Sequence, residues 1–172
     1  DALNKGIAAV SSSFYVVIGA DDTFDEKMTE NFLDSLNKFP GFDFYAAGWK
    51  VGGVPRFGMS GKGWLYGMVG EASCHSVSLL IKTELHQSIG LYSKLFPICA
   101  DQLFVKSAIN QGARVKHCSF VSGEFSEEGL SSSNSIGLLT ESYRVQLITE
   151  RFKFLQTGIF LIKLLKNFKS IF

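Results

Sequence analysis

The run "SFYVVIGADD", residues 13 to 22, constrains the fold more than any other stretch of the chain. Its middle is short, β-branched and aromatic, and apolar at consecutive positions. That suits a central strand covered on both faces. The run then stops on Gly19, Ala20 and two adjacent acids, Asp21 and Asp22. Like charges side by side repel unless water surrounds them or a cation sits between them. Two readings follow: a solvated turn whose acids serve the next helix, and a metal site at the mouth of a sheet. Spacing alone leaves both open.

The segments around this run set the fold class. "DALNKGIAAV" reads as a helix already under way at Asp1, as expected of a chain that starts partway through a domain. In "DDTFDEKMTENFLDSLNKFPG", Thr23 and Glu26 have the form of a capping box. Met28, Phe32 and Leu36 repeat every four residues to make one apolar helix face, and Pro40 and Gly41 end it. "FDFYAAGW" predicts a strand. The glycine-rich "VGGVPRFGMSGKGWLYGMVG" lacks the Gly-Lys-Ser/Thr of a phosphate loop and reads as a mobile loop with one hairpin. "TELHQSIG" predicts a short helix closed by Gly90. "ADQLFVKSAINQG" predicts a longer one, with Phe104 and Ala108 on one face and Gly112 as its stop. "RVKHCSFV" predicts a strand and "SGEFSEEGLSSSNS" a polar loop. From about Ile136 the pattern is helical. Strands alternating with helices imply an α/β fold with a mainly parallel sheet flanked by helices. In open sheets of that kind ligands bind beyond the carboxyl ends of the strands, where Asp21 and Asp22 lie.

Composition narrows the function. At 172 residues, 46% hydrophobic and 19% charged, the chain can bury one domain core. A net charge of +1 argues against nucleic acid as a partner. Cys74, Cys99 and Cys118 are odd in number and widely spaced. They fit neither a disulfide framework nor a zinc site, and read as reduced thiols of a cytosolic protein. No apolar run reaches the roughly 18 to 20 residues of a spanning helix; "GIFLIKLLKNF" is interrupted by Lys163 and Lys166.

"DALNKGIA", "IGADD", "CH", "IGLYSKLFPICADQLFVKSAINQGARVKH" and "GEFSEEGLSSS" run in an order and spacing that resemble the family 2 glycosyltransferases of the GT-A fold. Bacterial enzymes of cell-surface polysaccharide assembly are the nearest in pattern. The resemblance covers about residues 1 to 135, read as a partial GT-A domain whose first strands and much of whose nucleotide-base pocket precede Asp1. It implies inverting transfer of a sugar from a nucleoside-diphosphate donor to a hydroxyl of a glycan or lipid-linked glycan acceptor. It also implies a divalent cation, Mn²⁺ or Mg²⁺, since both favour carboxylate and phosphate oxygens. By the same resemblance Asp22 is the metal ligand, with Asp21 nearer the donor ribose. Asp101, at the start of its helix, is the catalytic base. Asp1, Asn4, Lys5 and His75 belong to the donor site. Two positions depart from the family pattern. Leu103 stands where relatives often carry a second acid, and Ser76 where they often carry glutamine. His86 and His117 have no motif around them and read as structural or surface residues.

The remainder, 136–172, reads as a helical, basic amphipathic tail. From Arg151 onward it has Arg151, Lys153, Lys163, Lys166 and Lys169 and no acid. Phe152, Leu155, Ile159, Ile162, Leu165 and Phe168 fall three or four apart on one helix face. Such a helix can lie in a membrane interface or pack on protein. With a lipid-linked acceptor, the first reading gives a cytoplasmic protein, peripheral at the inner face of the plasma membrane. A second functional reading, from another class, is a non-catalytic remnant or interaction module that keeps the fold.

Overall fold

A computed structural model describes residues 2–73, 76–126 and 134–167. Asp1, Cys74 and His75, the "EEGLSSS" segment, and the last five residues, with Phe168 and Lys169, lie outside the described residues. Helix α1 (Ala2–Ala9) precedes β1 (Phe14–Tyr15) and β2 (Thr23–Phe24). Then come α2 (Met28–Lys38), β3 (Phe44–Val51), β4 (Val54–Arg56) and the one-turn α3 (Gly63–Tyr66). β5 (Leu79–Lys82), α4 (Leu85–Ile89), α5 (Ala100–Asn110) and β6 (Val115–Glu124) follow. Two C-terminal helices, α6 (Ser135–Thr149) and α7 (Lys153–Lys166), close the chain.

The strands form one sheet in the order β1-β5-β3-β6-β2, with β4 also paired to β3. The expectation of a mainly parallel sheet is overturned. β3 and β6 run parallel, but β1–β5, β2–β6, β3–β4 and β3–β5 are all antiparallel. Apolar runs report burial on both faces, not strand direction, so the pattern of "FDFYAAGW" could not reveal which way its neighbours run. One reversal is visible locally. Gly52 and Gly53 have φ of 55° and 77°, the pair of left-handed residues that a two-residue hairpin needs.

β3 is the central strand, and its side chains alternate between two layers. Phe44 and Ala46 enter a core with Met68, Leu79, Ile81, Phe104 and Val105, under α5. Tyr45 and Ala47 enter a second core with Phe32 and Leu80, under α2, where Met28 and Leu36 also pack. The apolar face read for α2 is therefore the buried one.

Three local expectations fail. "SFYVVIG" is not a central strand: only Phe14 and Tyr15 pair, and they lie at an end of the sheet against β5. The Thr23/Glu26 capping box does not form. Thr23 and Phe24 pair with Glu124 and Gly123 of β6, so α2 starts later, at Met28, and Lys27 makes no side-chain cap bond. The stretch read as a mobile loop packs instead around α3, with Gly63, Gly67, Met68 and Gly70 buried.

The C-terminal helices dock on the same body. Val145 of α6 packs with Phe96 and Cys99. Lys106, Gln146, Gln156 and Lys163 donate to the backbone carbonyls of residues 63–65. The Gly63 carbonyl also accepts the Gly67 N–H that closes α3, and the side chains add bonds at the end of this one-turn helix, where carbonyls lack further helical partners.

Candidate active site

The extended segment after β1 ends in a turn built by Asp22. The Gly19 N–H donates to Asp22 Oδ2 at 3.1 Å, and the Ser126 N–H to Asp22 Oδ1 at 3.0 Å. Asp22 is 8% exposed and ties the turn to the segment that follows β6. Its neighbour Asp21 is exposed. The two carboxylates converge nonetheless. A side chain at Gly19 would meet Asp22 Oδ2 at 2.8 Å and Asp21 Oδ1 at 3.0 Å. A side chain there would displace those acid oxygens. The donor set is hard oxygen, the kind Mn²⁺ and Mg²⁺ favour, and oxygens of both acids reach the space over Gly19. Among the described residues no group of three or more His, Cys, Asp or Glu side chains is gathered as a ready-made metal site.

Asp101 lies in the first turn of α5, where the helix dipole favours an acid. It lines a cavity of about 240 Å³ together with Gly19, Leu3, Ile18, Met68 and Tyr92. The cavity thus joins the base of the acidic turn to Asp101. Its wall is mainly apolar, and among the described residues Asp101 is the one charged side chain in it. That is the ordinary make-up of a small-molecule site: apolar walls with few, placed polar groups.

Asn4 of α1 holds one wall in place. Its side-chain amide donates to the Tyr92 carbonyl and its Oδ1 accepts from the Tyr92 N–H, both at 2.9 Å. Lys5, next along α1, is exposed. Tyr92 continues inward to Tyr15 (Oη to Oη 2.8 Å), and Tyr15 to His86 Nε2 at 2.8 Å. His86 Nδ1 lies 2.9 Å from the Gly90 carbonyl, which can only accept. In the neutral ring Nδ1 therefore carries the proton, Tyr15 donates to Nε2, and Tyr92 donates to Tyr15. His86 is a structural histidine, stacked on Tyr15 and Phe104. Burial pushes the Tyr92 phenol up to about 12, with the charge of Asp101 adding to the rise. Tyr92 stays a protonated donor at neutral pH.

Two residues that hold this wall in place were not read from sequence. One is Tyr92. The other is Glu141 of α6, whose Oε2 accepts from the Ile98 and Cys99 N–H groups, both at 2.9 Å. Those N–H groups lie just before α5, so a C-terminal helix anchors the start of the helix that carries Asp101. The contact spans more than forty positions, which no local pattern announces. Burial, helped by the charges of Asp101 and Glu141, pushes the Cys99 thiol up to about 12. Cys99 is therefore a core thiol and not a nucleophile.

No protein-family model matches the chain, and no curated protein does. Solved structures do. The chain is similar to S. aureus TarS 1-349 in complex with UDP, at 15% identity and a TM-score of 0.59, over 96% of this chain and 50% of that one. It is similar to S. aureus TarS 1-349 in complex with UDP-GlcNAc, at 15% identity and a TM-score of 0.60, over 96% of this chain and 52% of that one. At this identity the likeness shows a shared fold, of the GT-A type. The chain spans about half the length of the structures it matches.

Proposed function

We propose that this chain carries out inverting transfer of a sugar from a nucleoside-diphosphate donor to an acceptor hydroxyl, in the assembly of a cell-surface polysaccharide. The observation that supports this reading is one cavity lined by both Asp101 and Gly19, the residue over which the Asp21 and Asp22 carboxylates sit. It is supported by a fold shared with structures crystallised with UDP and with UDP-GlcNAc.

Asp101 acts as the general base. It takes the proton of the acceptor hydroxyl as that oxygen bonds to the anomeric carbon. The bond from that carbon to the diphosphate breaks on the opposite face, which inverts the centre. Asp21 and Asp22 would hold the divalent ion, whose chemistry is to neutralise charge on the diphosphate. Asn4 and Tyr92 keep the apolar wall rigid, so that the sugar meets Asp101 in one orientation. By the family resemblance, Lys5, Asp1 and His75 would serve the donor side. The rival reading is a non-catalytic module, and one observation favours it. Asp22 already has a structural task on two backbone N–H groups.

Calorimetric titration of UDP, GDP and dTDP, with and without Mn²⁺, separates the two readings. One nucleotide should bind in a Mn²⁺-dependent way. Asp21→Ala and Asp22→Asn should each weaken that binding on the order of tenfold or more, the loss of one charge-assisted contact. Asp101→Asn should keep nucleotide binding and lose transfer. Transfer at the parent rate in Asp101→Asn removes it as the base. Absence of nucleotide binding under all conditions favours the non-catalytic module.

A further inference from the structure

Helix α7 packs with its polar side inward. Gln156 is buried and donates to the Trp64 carbonyl at 2.9 Å. Lys163 donates to the Leu65 carbonyl at 3.2 Å, and Phe160 stacks on Tyr143 of α6. Ile159, which the sequence pattern put on the outward stripe, is half-buried beside them. At a hundred degrees per residue the opposite side of the helix carries Phe154, Leu155, Gly158, Leu161, Ile162 and Leu165. All are exposed, the five large side chains from 46% at Leu155 to 95% at Phe154. A band of this width with no polar residue in it is the mark of an interaction surface.

Charge chooses the occupant. Arg151, Lys153 and Lys166 are exposed at the two ends of the band. Lys153 also donates to the Leu147 and Glu150 carbonyls at the end of α6. From Arg151 to the last residue there is no Asp or Glu. A second copy meeting this face about a two-fold axis would bring like charges together with no acid on the helix to pair them. An anionic surface meets them with opposite charge. Among the described residues no helix is long and apolar enough to cross a membrane, so the helix would lie along the surface.

We propose that the outward face of α7 docks on an anionic lipid surface, with Phe154, Leu161 and Leu165 in the acyl boundary and Arg151 and Lys166 among the headgroups. This does not depend on the transfer reaction, and its test needs no nucleotide.

The whole chain is sedimented with phosphatidylcholine vesicles containing about a quarter phosphatidylglycerol, and with pure phosphatidylcholine. Binding should be on the order of tenfold or more tighter to the anionic vesicles and weaker at high salt. The double variant Leu161→Glu/Leu165→Glu should lose it while keeping the parent melting curve, since neither side chain supports the core. Arg151→Gln/Lys166→Gln should lose the preference for anionic lipid. Equal binding to both vesicles, or retention by the Leu161→Glu/Leu165→Glu variant, overturns the proposal. So does a lack of binding. In that case a dimer by light scattering that the same variant dissociates assigns the face to a second copy.

Discussion

Around β3 the buried atoms are mostly carbon: Phe44, Ala46, Leu79, Phe104 and Val105 on one side, Phe32, Ala47 and Leu80 on the other. Around residues 63–65 they are nitrogens meeting carbonyls. Lys106, Gln146, Gln156 and Lys163 converge there from α5, α6 and α7. The first region is held by the non-directional removal of apolar surface from water. The second is held by directed bonds, each worth little net but costly to leave unmade. The difference shows in its flaws: Gln146 Oε1 is buried without a partner. An apolar core can shift by tenths of an ångström and stay satisfied, whereas a polar joint cannot. It also explains the outer face of α7, since a helix that spends its polar side on the joint turns its apolar side to solvent.

The largest effect expected from breaking this contrast is on the carbon side. Phe44 is fully buried, and Phe44→Ala should cost about 3–5 kcal/mol in urea unfolding. A loss below about 1 kcal/mol would show that the two cores do not carry the fold.

On the polar side the strongest link is Lys106 to Glu150, at 2.5 Å, with Lys106 2% and Glu150 19% exposed. Glu150→Gln leaves a buried ammonium with a neutral partner. The cost should be about 2–3 kcal/mol, below that of a fully buried pair because Glu150 keeps some water. An unchanged urea midpoint would mean that Lys106 finds another anion.

The smallest effect sharpens the comparison through pH. Burial holds the Lys163 ammonium below lysine's ordinary 10.5. The folded state thus binds this proton less tightly than the unfolded chain. The penalty is complete at neutral pH and is relieved as pH rises from the folded value towards 10.5. Stability should climb modestly over that alkaline interval, and Lys163→Met should flatten the climb. Parallel pH curves for parent and variant would remove Lys163 from the joint's electrostatics.

Much of the fold was legible in residues whose partners are near in sequence. The spacing of Met28, Phe32 and Leu36 showed the face that α2 buries, and Gly90 and Gly112 marked helix ends, each with positive φ. What escaped depended on distant partners. Thr23 has a cap's side chain but pairs instead with Glu124, because a ladder bond to β6 displaces a local cap. Strand direction escaped because burial has no polarity. At the site, Asp22 and Asp101 were visible as acids at element ends, where dipoles and sheet edges place them. Glu141 was not, since its value lies in two N–H groups of another helix's approach.

That last contact has a consequence for recombination. A chimaera that joined residues 2–126 of this chain to a foreign C-terminus would keep both carbon cores, yet it would lose the carboxylate that seats the start of α5 and the amides that seat the turn at 63–65. The smallest exchangeable module is therefore the sheet together with α6 and α7. Any partner to be grafted in their place must bring its own acid for Ile98 and Cys99.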